Sequence, residues 1–157
     1  MQSESTLLMD FNGNLGFKPL NIVDMIPFLW NSIKQSIGIN AQLLISSNVK
    51  KINIERKEFL QIFEPIIEDI SKEIYENGWM YIFVDNLPNV KLLVTDLDPT
   101  CDYVRIIIRK ELNLPTKLRG INHITRNIIK ICNGSCLVEM ETGDTINIYI
   151  YLPASEE

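Results

Sequence analysis

The stretch SCLVEMETGDTINIYIYLP, Ser135–Pro153, decides how this chain folds. Cys136 to Glu141 reads as a strand and Thr142-Gly143-Asp144 as a turn. Beyond the turn, Ile146, Ile148, Ile150 and Leu152 alternate with Asn147, Tyr149 and Tyr151. A period of two sends successive side chains to opposite faces of a sheet, so the isoleucines face a core and the Asn/Tyr set faces partly to water. The glycine-containing turn joins the two runs into an antiparallel hairpin.

Just upstream, a helix is expected over Ile121 to Cys132, with Ile121, Ile124, Ile128 and Ile131 as its buried stripe and Asn133-Gly134 as its stop. Pro115 breaks the chain before it, and Tyr103 to Ile108 reads equally as strand or helix start. Further back, Trp79 to Asp85 and Val90 to Asp96 read as a hairpin around Leu87-Pro88-Asn89. A long helix over Glu55 to Glu76 carries Phe59, Ile62, Phe63, Ile66, Ile67, Ile70 and Ile74 on one face. Pro65 in its middle predicts a kink or a later start. A first helix is expected from Asp24 as N-cap, with Ile26, Leu29, Trp30, Ile33 and Ile37 inward, followed by a strand over Ala41 to Ser46. Residues 1–14 read as a tail or linker and 15–157 as one domain. The order of elements predicts an α+β fold, a two-layer α/β sandwich with three helices on a mixed, mostly antiparallel sheet.

The totals exclude several classes. The 157 residues suffice for one buried core, with 46% hydrophobic and 22% charged residues. A net charge of -5 offers no basic footprint for nucleic acid. No apolar run is long enough for a membrane span, and the start lacks the layout of a secretory signal, so a cytoplasmic location is expected. Cys101, Cys132 and Cys136 read as reduced, free thiols, and with His123 as the lone histidine they lack the spacing of a zinc site, so no metal is expected. Phe28, Trp30 and Trp79 are candidate contact anchors or core residues.

The closing pattern, a helix ending in Asn133-Gly134 and a glycine-turn hairpin ending in Leu152-Pro153, resembles the catalytic ATP-binding (HATPase, or GHKL) domain of sensor histidine kinases. The likeness runs from about Leu15 to Pro153 and implies a Bergerat-like sandwich, with a short ATP lid between Asp102 and Arg119. EFLQIFEPIIEDISKEIYENG (Glu58 to Gly78) resembles the family's asparagine-box helix. Pro65 and Asp69 fall on its polar and Mg²⁺-holding positions, and Lys72 falls where a lysine faces the phosphates. VTDLDPTC (Val94 to Cys101) resembles the first glycine box, with Asp96 at the adenine-reading aspartate, Pro99 retained, and Asp98 and Thr100 in place of both glycines. In KLRGINHI (Lys117 to Ile124), Gly120 alone stands for the second glycine box that cradles phosphates.

The resemblance therefore implies residual nucleotide-site positions at Asp69, Lys72, Asp96 and Gly120, with no catalytic residue. Asp69 and Asp96 also read simply as surface and turn residues. No cofactor is expected, with ATP/Mg as the alternative. His123 reads as a structural residue rather than a phosphate acceptor. The implied role is a non-catalytic kinase-like docking module, a pseudokinase, in two-component or phosphorelay signalling. Its expected partner is a protein such as a response regulator or a kinase-like dimer partner. The alternatives are a divergent but active ATP-binding kinase domain and an unrelated α+β interaction module.

Overall fold

The computed structural model describes residues 7–9, 15–17, 19–27, 31, 40–73, 79–87, 96–111, 121–141 and 145–156. Two short strands, β1 (Leu7–Met9) and β2 (Leu15–Phe17), pair with each other. Five more strands make the main sheet: β3 (Asn40–Ile45), β4 (Trp79–Leu87), β5 (Tyr103–Glu111), β6 (Ser135–Met140) and β7 (Thr145–Pro153). Their order is β3-β4-β5-β7-β6, with β3 parallel to β4 and every other pairing antiparallel. The helices are α1 (22–27 as described), α2 (Arg56–Glu73) and α3 (His123–Ile131). The expected α+β sandwich is the observed one.

One core lies between sheet and helices. Ile22, Met25 and Ile26 of α1 and Phe59, Ile62, Phe63, Ile66 and Ile67 of α2 meet Met80, Ile82 and Val84 of β4, Val104, Ile106 and Ile108 of β5, and Ile148, Ile150 and Leu152 of β7. Ile148, Ile150 and Leu152 of β7 face the core as their alternation predicts, but the other face of β7 is not wet: Asn147 and Tyr151 are buried as well and Tyr149 is half-buried. The α2 stripe is realised from Phe59 to Ile67, and the side chains of Ile70 and Ile74 lie outside the described residues. At one end of the sheet, backbone hydrogen bonds stitch Leu20 to Ile52, Asn53 to Pro153, Ser155 to Lys51 and Ala154 to Asp102.

Four expectations are corrected. First, α1 starts before Asp24: Asn21 Oδ1 accepts from Val23 N at 3.1 Å, and Asp24 is exposed. Leu29, Trp30, Ile33 and Ile37 lie outside the described residues. Second, the start of α2 is not shifted past Pro65: the helix runs from Arg56 with Pro65 inside it. The ring removes the donor that would reach the carbonyl of residue 61, and Gln61 is exposed, so water can serve that carbonyl. Third, β4 pairs with β3 on one side and β5 on the other; Val90 to Thr95, the expected second strand of the hairpin, lie outside the described residues. Both edges of β4 are taken, and the ambiguous Tyr103–Ile108 stretch is the strand that takes one of them.

Fourth, only half of the expected α3 stripe faces inward. Ile121 is buried and Ile128 packs half-buried against the core, whereas Ile124 and Ile131 are 71% and 75% exposed; Thr125, Ile129 and Cys132 complete the buried face. The ends of α3 follow the sequence closely. Asn122 Oδ1 accepts from Thr125 N at 2.8 Å as N-cap. At the other end Asn133, with φ 63, donates to the Lys130 carbonyl, and Gly134 N donates to the Ile129 carbonyl, the paired bonds of a Schellman stop.

The cysteines are free: Cys101 is exposed, Cys132 buried and Cys136 half-buried. Burial pushes the Cys132 thiol up to about 12, helped by its bond to the Glu58 carboxylate at 3.3 Å. Burial also raises Cys136. Because the thiolate is the reactive form, an alkylating reagent at neutral pH is expected to label Cys101 alone in the native protein and all three thiols after unfolding. Rapid labelling of Cys132 in the native state, seen by peptide mass mapping, would contradict this burial.

Candidate functional site

The antiparallel β4–β5 pairing assigns each residue singled out in the sequence to one end of the sheet. The connection between these strands contains Asp96 and Asp98 and leaves the sheet where Leu87 faces Tyr103. At that end Asp96 Oδ2 accepts from Ser135 Oγ at 2.8 Å. Ser135 follows the C-terminal stop of α3, so Asp96 lies at the tail of that helix. Asp98 is committed to its own turn, accepting from Thr100 N, Thr100 Oγ1 and the Cys101 thiol. These donors hold its carboxyl below the ordinary value. Lys50 is likewise held by Asp102 at 2.7 Å.

The remaining described positions, Asp69 and Lys72, belong to the opposite end. Glu58, in the first turn of α2, touches Cys132 at the end of α3, so the start of α2 lies beside the tail of α3. Asp69 and Lys72 are eleven and fourteen positions further on, about 16 to 21 Å along the axis at 1.5 Å per residue. They lie on the backbone of α2 toward the start of β4, and their side chains are outside the described set. Gly120 is outside it too, while the helix it precedes opens at Asn122. Thus the fold groups Asp69, Lys72 and the start of α3, and places Asp96 at the far end, beyond the length of a nine-residue helix.

A residue that the sequence reading passed over occupies the end where α2 finishes. Lys110, near the end of β5, pairs in register with Met80 and Ile146 and is 2% exposed. It continues the inward series Val104, Ile106, Ile108, and that alternation was the available signal. The sequence reading ended the strand at Ile108 and so missed it. An ammonium buried this deeply requires compensating partners.

Two hollows accompany these ends. An apolar cavity of about 20 Å³ between α1, α2 and the sheet is lined by Ile26, Phe59, Phe63, Ile67, Ile82, Ile106 and Ile108. It has room for about one water and no polar group to hold it. The other is an open groove of about 970 Å³ beside Asp96, Asp98, Asp102, Lys50 and Lys130. Among the described residues, no group of three His, Cys, Asp or Glu side chains could hold a metal. His123 is exposed, with Asn127 Nδ2 3.3 Å from its Nε2.

Solved structures share this architecture. The histidine kinase AdeS of Acinetobacter baumannii superposes with a TM-score of 0.60 at 11% identity, over 88% of this chain and 68% of that one. The mycobacterial sensor histidine kinase MprB gives 0.62 at 8%, over 87% and 98%. The fold is that of a histidine kinase catalytic domain. A third such kinase, ThkA in complex with the response regulator TrrA, gives 0.61 at 13%, over 88% of this chain and 42% of that one. No family model matches the sequence, and no curated protein matches it. The likeness is one of fold. No described helix is long and apolar enough to cross a membrane.

Proposed function

We propose that this domain is a docking module of histidine-kinase fold that does not use nucleotide, and that it works in two-component or related signalling. The observation that carries the reading is the distance along the fold between Asp96 and the backbone positions of Asp69 and Lys72. A nucleotide held by Asp69 and by the start of α3 is out of reach of Asp96, and the inward group at the end of β5 is Lys110, a cation. A base-reading carboxylate and a lysine ammonium have opposite hydrogen-bonding capacity, since the ammonium only donates. Pro65 offers no polar group on α2. These residues do not fit a Mg-nucleotide. The ThkA–TrrA complex supports a response regulator as the class of partner. A pseudokinase role, the absence of a cofactor, a cytoplasmic location and the division at residue 14 belong to the same proposal.

The rival reading, an active ATP-binding domain, uses Asp96 to read adenine. Asp96→Ala is expected to cost about 1 kcal/mol of stability, because the buried Ser135 hydroxyl loses its acceptor. It should leave the response to Mg-ATP unchanged from that of the wild type. A nucleotide response present in the wild type and lost in this variant, read by thermal melting, would favour the rival.

A further inference from the structure

Helix α3 carries two chemically different strips on its solvent side. Ile124 and Ile131 are 71% and 75% exposed, more than any other large apolar side chain among the described residues. Seven positions separate them, so they stand two turns apart on nearly one line, about 10 Å along the axis. Ile128, half-buried against the core, lies between them and completes the strip. The other strip is basic. Arg126 and Lys130 stand one turn apart, and the exposed His123 and Asn127 separate them from the isoleucines. Arg126 donates to the Ile121 carbonyl and to Cys136 Sγ, not to a carboxylate. No carboxylate among the described residues forms an ion pair with Lys130. Lys130 also borders the open groove, where Asp96 and Asp98 are engaged by Ser135 and Thr100. Between Glu111 and Glu139 the sequence holds Lys117, Arg119, Arg126 and Lys130 and no Asp or Glu, in a chain of net charge -5.

We infer that this side of α3 docks an acidic amphipathic helix of the protein partner, with apolar residues on the isoleucine strip and carboxylates on the basic one. The inference rests on the docking reading above and names the surface for it. Charge selects the occupant. An acidic partner is repelled by most of an acidic chain and attracted where that chain has bases alone, which steers it to α3. A second copy of α3 would set two basic strips together. The width of the apolar strip selects a helix over a lipid surface. Ile124, Ile128 and Ile131 form a ridge one residue wide, which fits the groove of a facing helix. A helix lying in a membrane interface buries a broad apolar face instead.

Titration of the isotope-labelled protein, followed by its amide chemical shifts, tests the inference. The probe is a synthetic helical peptide with leucines at i, i+3, i+4 and i+7 and glutamates on the flanking positions. The control peptide keeps the leucines and has lysines for the glutamates. The glutamate peptide is expected to shift amides of α3 and to bind about tenfold more tightly than the control. Lys130→Glu is expected to remove most of that preference. Ile124→Ser combined with Ile131→Ser is expected to weaken the glutamate peptide about tenfold or more. All three side chains are exposed, so the circular dichroism spectrum should not change. Leu44→Ser, at an exposed position on β3, is expected to leave binding as it is. Absence of binding, equal binding of the two peptides, shifts that map away from α3, a double variant that binds as the wild type does, or binding to phosphatidylserine vesicles in place of the peptide would overturn the inference. A melting response to Mg-ATP would overturn the nucleotide-free reading without altering any of these titrations.

Discussion

Truncating Phe59 to alanine is expected to remove about 4–5 kcal/mol of folding free energy, the upper part of the range for such changes. Phe59 is fully buried on α2, its ring 4.5 Å from that of Phe63. The lost transfer free energy alone is roughly 2–3 kcal/mol. The cavity term decides the rest. Phe59 already lines a void of about 20 Å³, so its removal enlarges an existing hollow. A residual volume of about 100 Å³ would add roughly 2.4 kcal/mol at ~24 cal/mol per Å³. For a domain of this size the midpoint should fall by about 10–15 °C. Calorimetry or guanidinium denaturation reads the effect, and a loss below about 2 kcal/mol would mean that α2 does not anchor the core.

The second large effect comes from a single methyl group. Gly134→Ala is expected to cost about 3 kcal/mol, as overpacking against a rigid neighbour does. A Cβ there would lie 2.4 Å from the Tyr151 carbonyl oxygen and 3.2 Å from Ile129 Cγ2. The first obstacle is backbone of β7, in register beside Ser135, so it cannot swing aside as a side chain would. Relief requires lifting the tail of α3 off the sheet, which also strains the Gly134–Ile129 bond and the Ser135–Asp96 contact. Asn133→Gly supplies the control. Asn133 holds the positive φ of the same stop, so glycine there should be neutral or slightly stabilising. Equal losses at the two positions in urea denaturation would contradict the close-approach account.

The C-terminal third of the molecule was legible because each signal there was local. The alternation of β7, the glycine turn, and the Asn133-Gly134 stop each fix geometry within a few residues. The α2 stripe was legible for the same reason. The partner of β4 was not, because pairing is a tertiary choice. Val90 to Asp96 is nearer in sequence and reads as a cleaner strand, while the true partner β5 is interrupted by Arg105, Arg109 and Lys110. Arg105 and Arg109 belong to the outer face and Lys110 to the inner one, a distinction visible only once the register is known. With β5 as the neighbour of β4, the connection carrying Asp96 closes the end of the sheet away from Asp69. The face of α3 was half legible: Ile121 and Ile128 pack inward as their spacing suggests, while Thr125, Ile129 and Cys132 complete the buried side in place of Ile124 and Ile131.

The central claim is that a histidine-kinase fold is kept here while its nucleotide site is not. Thermal melting with and without saturating Mg-ATP tests it most directly. A ligand that binds only the native state at a hundred to a thousand times its Kd adds about 2.7–4.1 kcal/mol, which is roughly 5–16 °C for a domain of this size. The account predicts no shift, for the wild type and for Asp69→Ala alike. A rise of several degrees in the wild type that disappears in Asp69→Ala would contradict it.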